Sequence, residues 1–315
     1  MGVLKKIFLI VFTAVLLQQL VDAQITYFNV SVQYDSPWVC KNLKLIPVRF
    51  KGNGGDTNQL MKGGIISFEE AFRRGKITVK ESDLGGGGAD VGLITVKNHS
   101  KENVLVHSGD IVAGGKQDRA FAGTTILGAD EEQYVPVFCI EKGRWTKKPH
   151  SFRYGGQADA SLKRQIDIVR KQNKVWKEID RQLAETDKKN PSSAYMNRFA
   201  GEEEIDSTCF HLFTRKLAES DSMYSGFIAI TGKRIINCEL FSSADLFVAS
   251  FNSLVKSYQR SVTANDGYAE LPDATVKIFM DKFMETEEKQ QQYLKDHGRL
   301  YSIQNHVIHL VAYDD

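Results

Sequence analysis

Apolar and polar residues alternate with a period of two over Phe28 to Tyr34, and Leu43 to Phe50 is an apolar run with one proline; both predict strands. A short helix is predicted at Ser67 to Arg74, where Ser67 and Glu70 stand at capping-box spacing. Period-two strands follow at Ile77 to Lys80 and Val91 to Lys97, then Val104 to Val106, Thr124 to Leu127 and Tyr134 to Ile140. The period then changes. From Ser161 to Leu183, the apolar residues Leu162, Ile166, Val169, Trp176, Ile179 and Leu183 line one face of a helix. Lys163, Arg164, Arg170, Lys171, Lys174 and Lys177 occupy the other face, which reads as solvated because acids intersperse along it. Phe227 to Ile230 and Arg234 to Leu240 flank a turn at Thr231-Gly232-Lys233. Ser242 and Asp245 cap a helix whose Leu246, Leu254 and Tyr258 face the core, and a last helix runs from Asp273 to about Asp296. Strands at Leu300 to Ile303 and Val307 to Tyr313 close the chain. The pattern predicts an α+β fold: a β-rich sandwich or barrel-like core from the N-terminal half, covered by helices from the C-terminal half.

The first residues follow a different pattern. Lys5 and Lys6 precede an apolar run from Ile7 to Leu17, and Val21-Asp22-Ala23 offers small residues before a cut at Gln24. That order is a secretory signal peptide, with an apolar core too short for a stable membrane anchor. Residues 24–315 are then expected as one exported domain, periplasmic or extracellular. Composition adds limits. The 315 residues are 42% hydrophobic and carry a net charge of +2, ample for a buried core and without the basic footprint of a nucleic-acid binder. Cys40, Cys139, Cys209 and Cys238 match no metal-ligand spacing, so no metal site is expected; in an oxidising compartment they allow disulfides in three pairings that the sequence leaves open. Gly85 to Gly88 and Gly114-Gly115-Lys116 lack the spacing and the hydroxyl of a phosphate loop, and no motif names a cofactor.

Candidate chemistry is concentrated between positions 107 and 145. Asp110 and Glu141 are candidate acid and base, and Lys116, Gln117, Arg119 and Arg144 are candidates to hold phosphate or carboxylate. Trp145 is placed to stack on a ligand ring or to pack under its loop. Cys139, between Phe138 and Ile140, reads as a small core residue, and as a nucleophile only if a histidine faces it; His309, on a terminal apolar strand, is the candidate base. The competing reading of the same residues is a set of ion pairs that locks a buried turn.

Gly109 to Arg119 reads Gly-acid-x-x-x-Gly-x-Lys-Gln-polar-Arg, and Pro136 to Trp145 reads Pro-Val-x-Cys-x-Glu-x-Gly-Arg-Trp. These stretches resemble the signatures of the ARG and Rhodanese-Phosphatase-superfamily-associated Protein domain family. Further similarity in Gln172 to Trp176, Gly226 to Phe241 and Val307 to Leu310 extends the resemblance from about Asn42 to Tyr313. Asp110 departs from the family's usual Glu, which shortens the reach of that acid, and the export signal is a second departure. The family's name implies genomic company with ADP-ribosylglycohydrolases and phosphatases, and neither activity. Three functions follow as expectations: a module binding a small anionic ligand, derived from a phosphate, nucleotide or sugar, in a cleft between the two motifs; a hydrolase on such a ligand using Asp110 and Glu141; or a structural, partner-binding secreted protein. The hydrolase requires both carboxylates to converge on one cleft with a cation, the binder only the cations, and the scaffold mutual burial and pairing.

Overall fold

Strands that are apolar at every position must be covered on both faces. The β13 (Tyr224–Thr231) and β14 (Arg234–Phe241) hairpin is buried along nearly its whole length. In the computed structural model, which describes residues 25–52, 63–82, 92–146, 150–185, 191–199, 205–221, 223–263 and 265–314, this hairpin is the middle of a seven-stranded antiparallel sheet. β13 pairs with β3 (Leu43–Phe50), which carries β1 (Val30–Val32) and β2 (Trp38–Cys40). β14 pairs with β16 (His306–Ala312), and β15 (Gly298–Ile303) completes the other edge.

One face of this sheet, with Phe227, Ala229 and Phe241, packs on Phe247, Phe251 and Leu254 of helix α5 (Ala244–Arg260). The opposite face, with Ile228, Ile230 and Leu240, packs on α6 (Asp273–Met284) and α7 (Glu287–His297). A disulfide between Cys40 and Cys209 ties β2 to α4 (Ser207–Ala218), while Cys139 and Cys238 are buried outside any disulfide.

The middle of the chain forms a second body. A six-stranded sheet runs in the order β12 (His150–Gln157), β8 (Asp110–Gly115), β9 (Arg119–Phe121), β11 (Glu132–Cys139), β6 (Leu93–Asn98), β5 (Ile77–Glu81). Its end strands approach each other across a cleft of about 420 Å³, so the sheet is a nearly closed barrel. A short sheet of β10 (Thr125–Leu127), β7 (Asn103–Val106) and β4 (Ile65–Ser67), with α1 (Phe68–Arg73), plugs it. Val79, Val96, Val112, Phe121 and Val137 point inward, and Ile111, Ala120 and Ile140 point outward beneath α2 (Ala160–Arg164) and α3 (Gln172–Ala184). The fold is α+β, as the periodicity predicts.

Four local expectations are corrected. The single helix expected over 161–183 is broken: a π turn at Gln165–Val169 ends on Arg170 in the left-handed region (φ 53°), and α3 starts afresh. Lys163, expected on a solvated face, is fully buried. The last helix divides after Met284, where Thr286 caps α7. The Ser67 cap forms as expected on Glu70 N, whereas the α5 cap is Ser243, not Ser242. The signal-peptide segment and Gly85 to Gly88 lie outside the described residues.

Candidate functional site

The two signature stretches meet. β9 and β11 pair with Cys139 opposite Arg119, and the chain beyond β11 folds back so that Arg144 reaches the β8–β9 turn. Its guanidinium donates to Glu141 Oε2 (2.7 Å), Asp118 Oδ1 (2.9 Å), Gly115 O (3.0 Å) and Gly114 O (3.2 Å). Glu141 Oε2 also accepts from Asp118 N at 3.3 Å. Burial pushes the Asp118 carboxyl up, and hydrogen bonds to Glu141 push the Arg144 pKa up. Gly114 has to be glycine here: its φ is +119° and a Cβ would lie 2.6 Å from Ser151 O. Arg144 is thus fully engaged within the turn.

Arg119 is fully buried, with Nη1 on Gln117 Oε1 at 3.0 Å and Nη2 3.8 Å from Glu81 Oε2. Lys116 Nζ and the Arg119 guanidinium lie 5.4 Å and 5.9 Å from the ring centre of Trp145, which is half-exposed above them. Arg119 is therefore closed off from solvent. Cys139 sits beneath this group with its backbone N–H and C=O held by the Gln172 side chain, and burial raises its thiol pKa.

Asp110 belongs elsewhere. Through the registers Ile111↔Ala120 and Val137↔Phe121 it lies level with Val137, so Glu141 is four residues, roughly 13 Å, further along the strand direction. The two candidate carboxylates do not share a cleft. Asp110 Oδ2 accepts from His107 N at 2.8 Å, Oδ1 has no hydrogen-bond partner among the described residues, and burial pushes the carboxyl up to about 8.

His107 opens a polar centre buried where the barrel meets the seven-stranded sheet. Glu239, on β14, accepts from Lys163 Nζ on both carboxylate oxygens (2.6 and 2.8 Å) and from Asn237 Nδ2 at 2.8 Å, with His309 Nε2 at 3.2 Å and His107 Nε2 at 3.3 Å. Burial alone would raise the Glu239 carboxyl, but Lys163 and the two histidines outweigh it and hold it well below the usual range. Burial lowers both histidines, His107 to about 4, so both are neutral at pH 7. His309 Nδ1 meets Thr124 Oγ1 at 3.0 Å, and its ring stacks on Phe241 and Tyr301. Asp167, placed inward by the π turn, accepts from Tyr301 (2.6 Å), Tyr313 (2.7 Å) and Ser108. The His107, Glu239 and His309 donor atoms all lie within 4.8 Å of one another, as metal ligands would, but the Lys163 ammonium already sits on both Glu239 oxygens as the neutralising cation.

The family model for the ARG and Rhodanese-Phosphatase-superfamily-associated Protein domain matches residues 31–312. The chain belongs to that family. No curated protein and no solved structure matches it. Within the family's own signatures, the first stretch divides its residues: Asp110 accepts from His107 N, Asp118 accepts from Arg144, and Arg119 is buried against Gln117 beside Glu81.

A cleft borders the buried centre at Thr124 and Tyr301. This cleft, of about 290 Å³, is lined by Gly123, Thr124, Tyr134, Arg170, Arg299 and Tyr301 among others. Arg170 Nη1 donates to Ala122 O at 2.7 Å, and Arg299 Nη1 lies 3.4 Å from Asp167 O. Among the described residues neither arginine has a carboxylate partner; burial and the nearby Arg299 lower the Arg170 pKa. Sequence reasoning missed Thr124, Lys163, Arg170, Glu239 and Arg299. A charged residue within an otherwise apolar strand, Glu239 in Arg234–Phe241, was the one signal open to it.

Proposed function

We propose that the protein binds a small molecule with a phosphate or carboxylate group in the cleft framed by Arg170 and Arg299, and that it does so after export. The reading rests on one observation: two arginines line one concave site, and among the described residues neither forms an ion pair with a carboxylate, Asp167 acting on Arg170 only through space. Like charges brought together out of bulk water favour an oxyanion, which two guanidinium forks can grip. The expected cleft between the 109–119 and 136–145 motifs is less suited, because Arg144 is engaged by two carboxylates and Arg119 is covered. The export part is supported by the N-terminal pattern and by the Cys40–Cys209 disulfide, which persists in oxidising compartments.

Titration calorimetry with inorganic phosphate tests the binding. Arg170→Met and Arg299→Met are each expected to weaken it tenfold or more, since a hydrogen bond to a charged group contributes about 1.5 to 3 kcal/mol. Arg215→Met, at an exposed position, is expected to change nothing. Binding that survives the double variant Arg170→Met/Arg299→Met would exclude this cleft.

A further inference from the structure

We propose that Thr124 is the nucleophile of an ester hydrolysis carried out in the same cleft, with His309 as its base; the substrate class, a small carboxylic ester bearing an anionic group, rests on the binding reading above. The geometry supplies each role. Thr124 lines the cleft, and its Oγ1 accepts from Ser108 N at 3.1 Å and lies 3.0 Å from His309 Nδ1. Because Glu239 is an ionised acceptor, His309 must carry its proton on Nε2, which leaves the Nδ1 lone pair facing the Thr124 hydroxyl. The sequence hydroxyl, imidazole, carboxylate is that of an activated nucleophile, with the ring nitrogens used in the reverse of the usual order. Glu239, fixed by Lys163 and Asn237, is a positioning residue, and the Tyr301 and Phe241 rings clamp the imidazole. Base, orienting carboxylate and anion clamp therefore surround one side chain, which lines the cleft while being only 6% exposed.

The reaction balances without a redox partner. Thr124 Oγ bonds to the ester carbonyl carbon while its proton passes to His309 Nδ1. The C–O bond to the leaving alcohol then breaks, and the alcohol departs with that proton. Water attacks the threonyl ester, gives a proton to His309, and releases the acid as Thr124 regains its hydrogen. Arg170 and Arg299 hold the anionic end of the substrate throughout.

The test uses the whole mature protein and three probes. Diisopropyl fluorophosphate is expected to label wild-type protein on the tryptic peptide containing Thr124, with loss of fluoride. p-Nitrophenyl hemisuccinate, an anionic ester, is expected to be hydrolysed faster than the neutral p-nitrophenyl acetate. Thr124→Val should lose the label and slow hydrolysis on the order of a hundredfold or more, Thr124→Ser should retain both, and both variants should keep the wild-type thermal melt. Since His309 lies in the core and its replacement risks the fold, the near-isosteric Thr124 pair carries the decision. Folded protein that binds phosphate but is labelled elsewhere, or not at all, overturns the nucleophile and leaves the binding reading standing. Labelling at Thr124 without phosphate binding or preference for the anionic ester overturns the binding reading and the substrate class with it.

Discussion

Asp110 accepts one hydrogen bond, from His107 N, and burial holds its carboxyl protonated up to about 8. Glu69, Lys163 and Lys256 are the charges that surround it. The unfolded chain ionises this group near 3.8, so between 3.8 and 8 the folded state binds the extra proton and stability falls as pH rises. His107 has the opposite sign: its folded value near 4 lies below the ordinary 6.5, so the unfolded state binds the extra proton in that window and stability rises with pH. The two oppose each other below 6.5, and Asp110 acts alone from there to about 8. Thermal melts of Asp110→Asn, an uncharged isostere, are therefore expected to lose most of the decline that wild type shows between pH 6.5 and 8; an equal decline in both would refute the protonated carboxyl. Asp110 was legible in the sequence because it stands in a signature stretch, and so was the neighbouring glycine. Gly109 has φ +82°, and a Cβ there would come within 2.8 Å of the Lys163 stem. Its partners were not legible. Lys163 and Glu239 are 76 residues apart, and only the folded chain shows that each neutralises the other.

The Arg144 turn is the element that holds both signatures in register. Removing its guanidinium leaves the carboxylates of Asp118 and Glu141, whose side chains are 11% and 6% exposed, without their ion-pair partner. Breaking a buried pair costs about 3 to 5 kcal/mol. Arg144 itself is 28% exposed, so the lower end applies, and Arg144→Leu is expected to lose about 3 kcal/mol by urea denaturation, with Arg144→Lys recovering part of it. A loss below 0.5 kcal/mol, taken here as about the scatter of surface substitutions, would mean the turn holds itself. At this scale the periodic strands and the Ser67 cap were readable, since each depends on neighbours in sequence. The break at Arg170 was not, because a non-glycine residue in the left-handed region leaves no compositional mark. That break aims Asp167 inward and Arg170 into the cleft, so the part of the site hardest to read is the part made by irregular backbone.

For the whole molecule, the class was legible and the sheet order was not: a strand pattern states which residues face a core, and says nothing of which strand lies beside which. The seven-stranded sheet joins strands before residue 51 to strands after residue 223. Export is tested at this scale. The intact mass of protein recovered from the periplasm or medium is expected to be that of a chain beginning at Gln24 with one disulfide, and two thiols, Cys139 and Cys238, should react only after denaturation. A mass that includes Met1 would refute it. The pairing of β3 with β13 also sets a schedule. Cys40 waits 169 residues for Cys209, and β3 waits slightly longer for its partner, roughly 10 to 35 s at ordinary synthesis rates. Throughout that interval β3 has only β1 and β2 to pair with, so the seven-stranded sheet is completed only once β13 and the strands after it have been made.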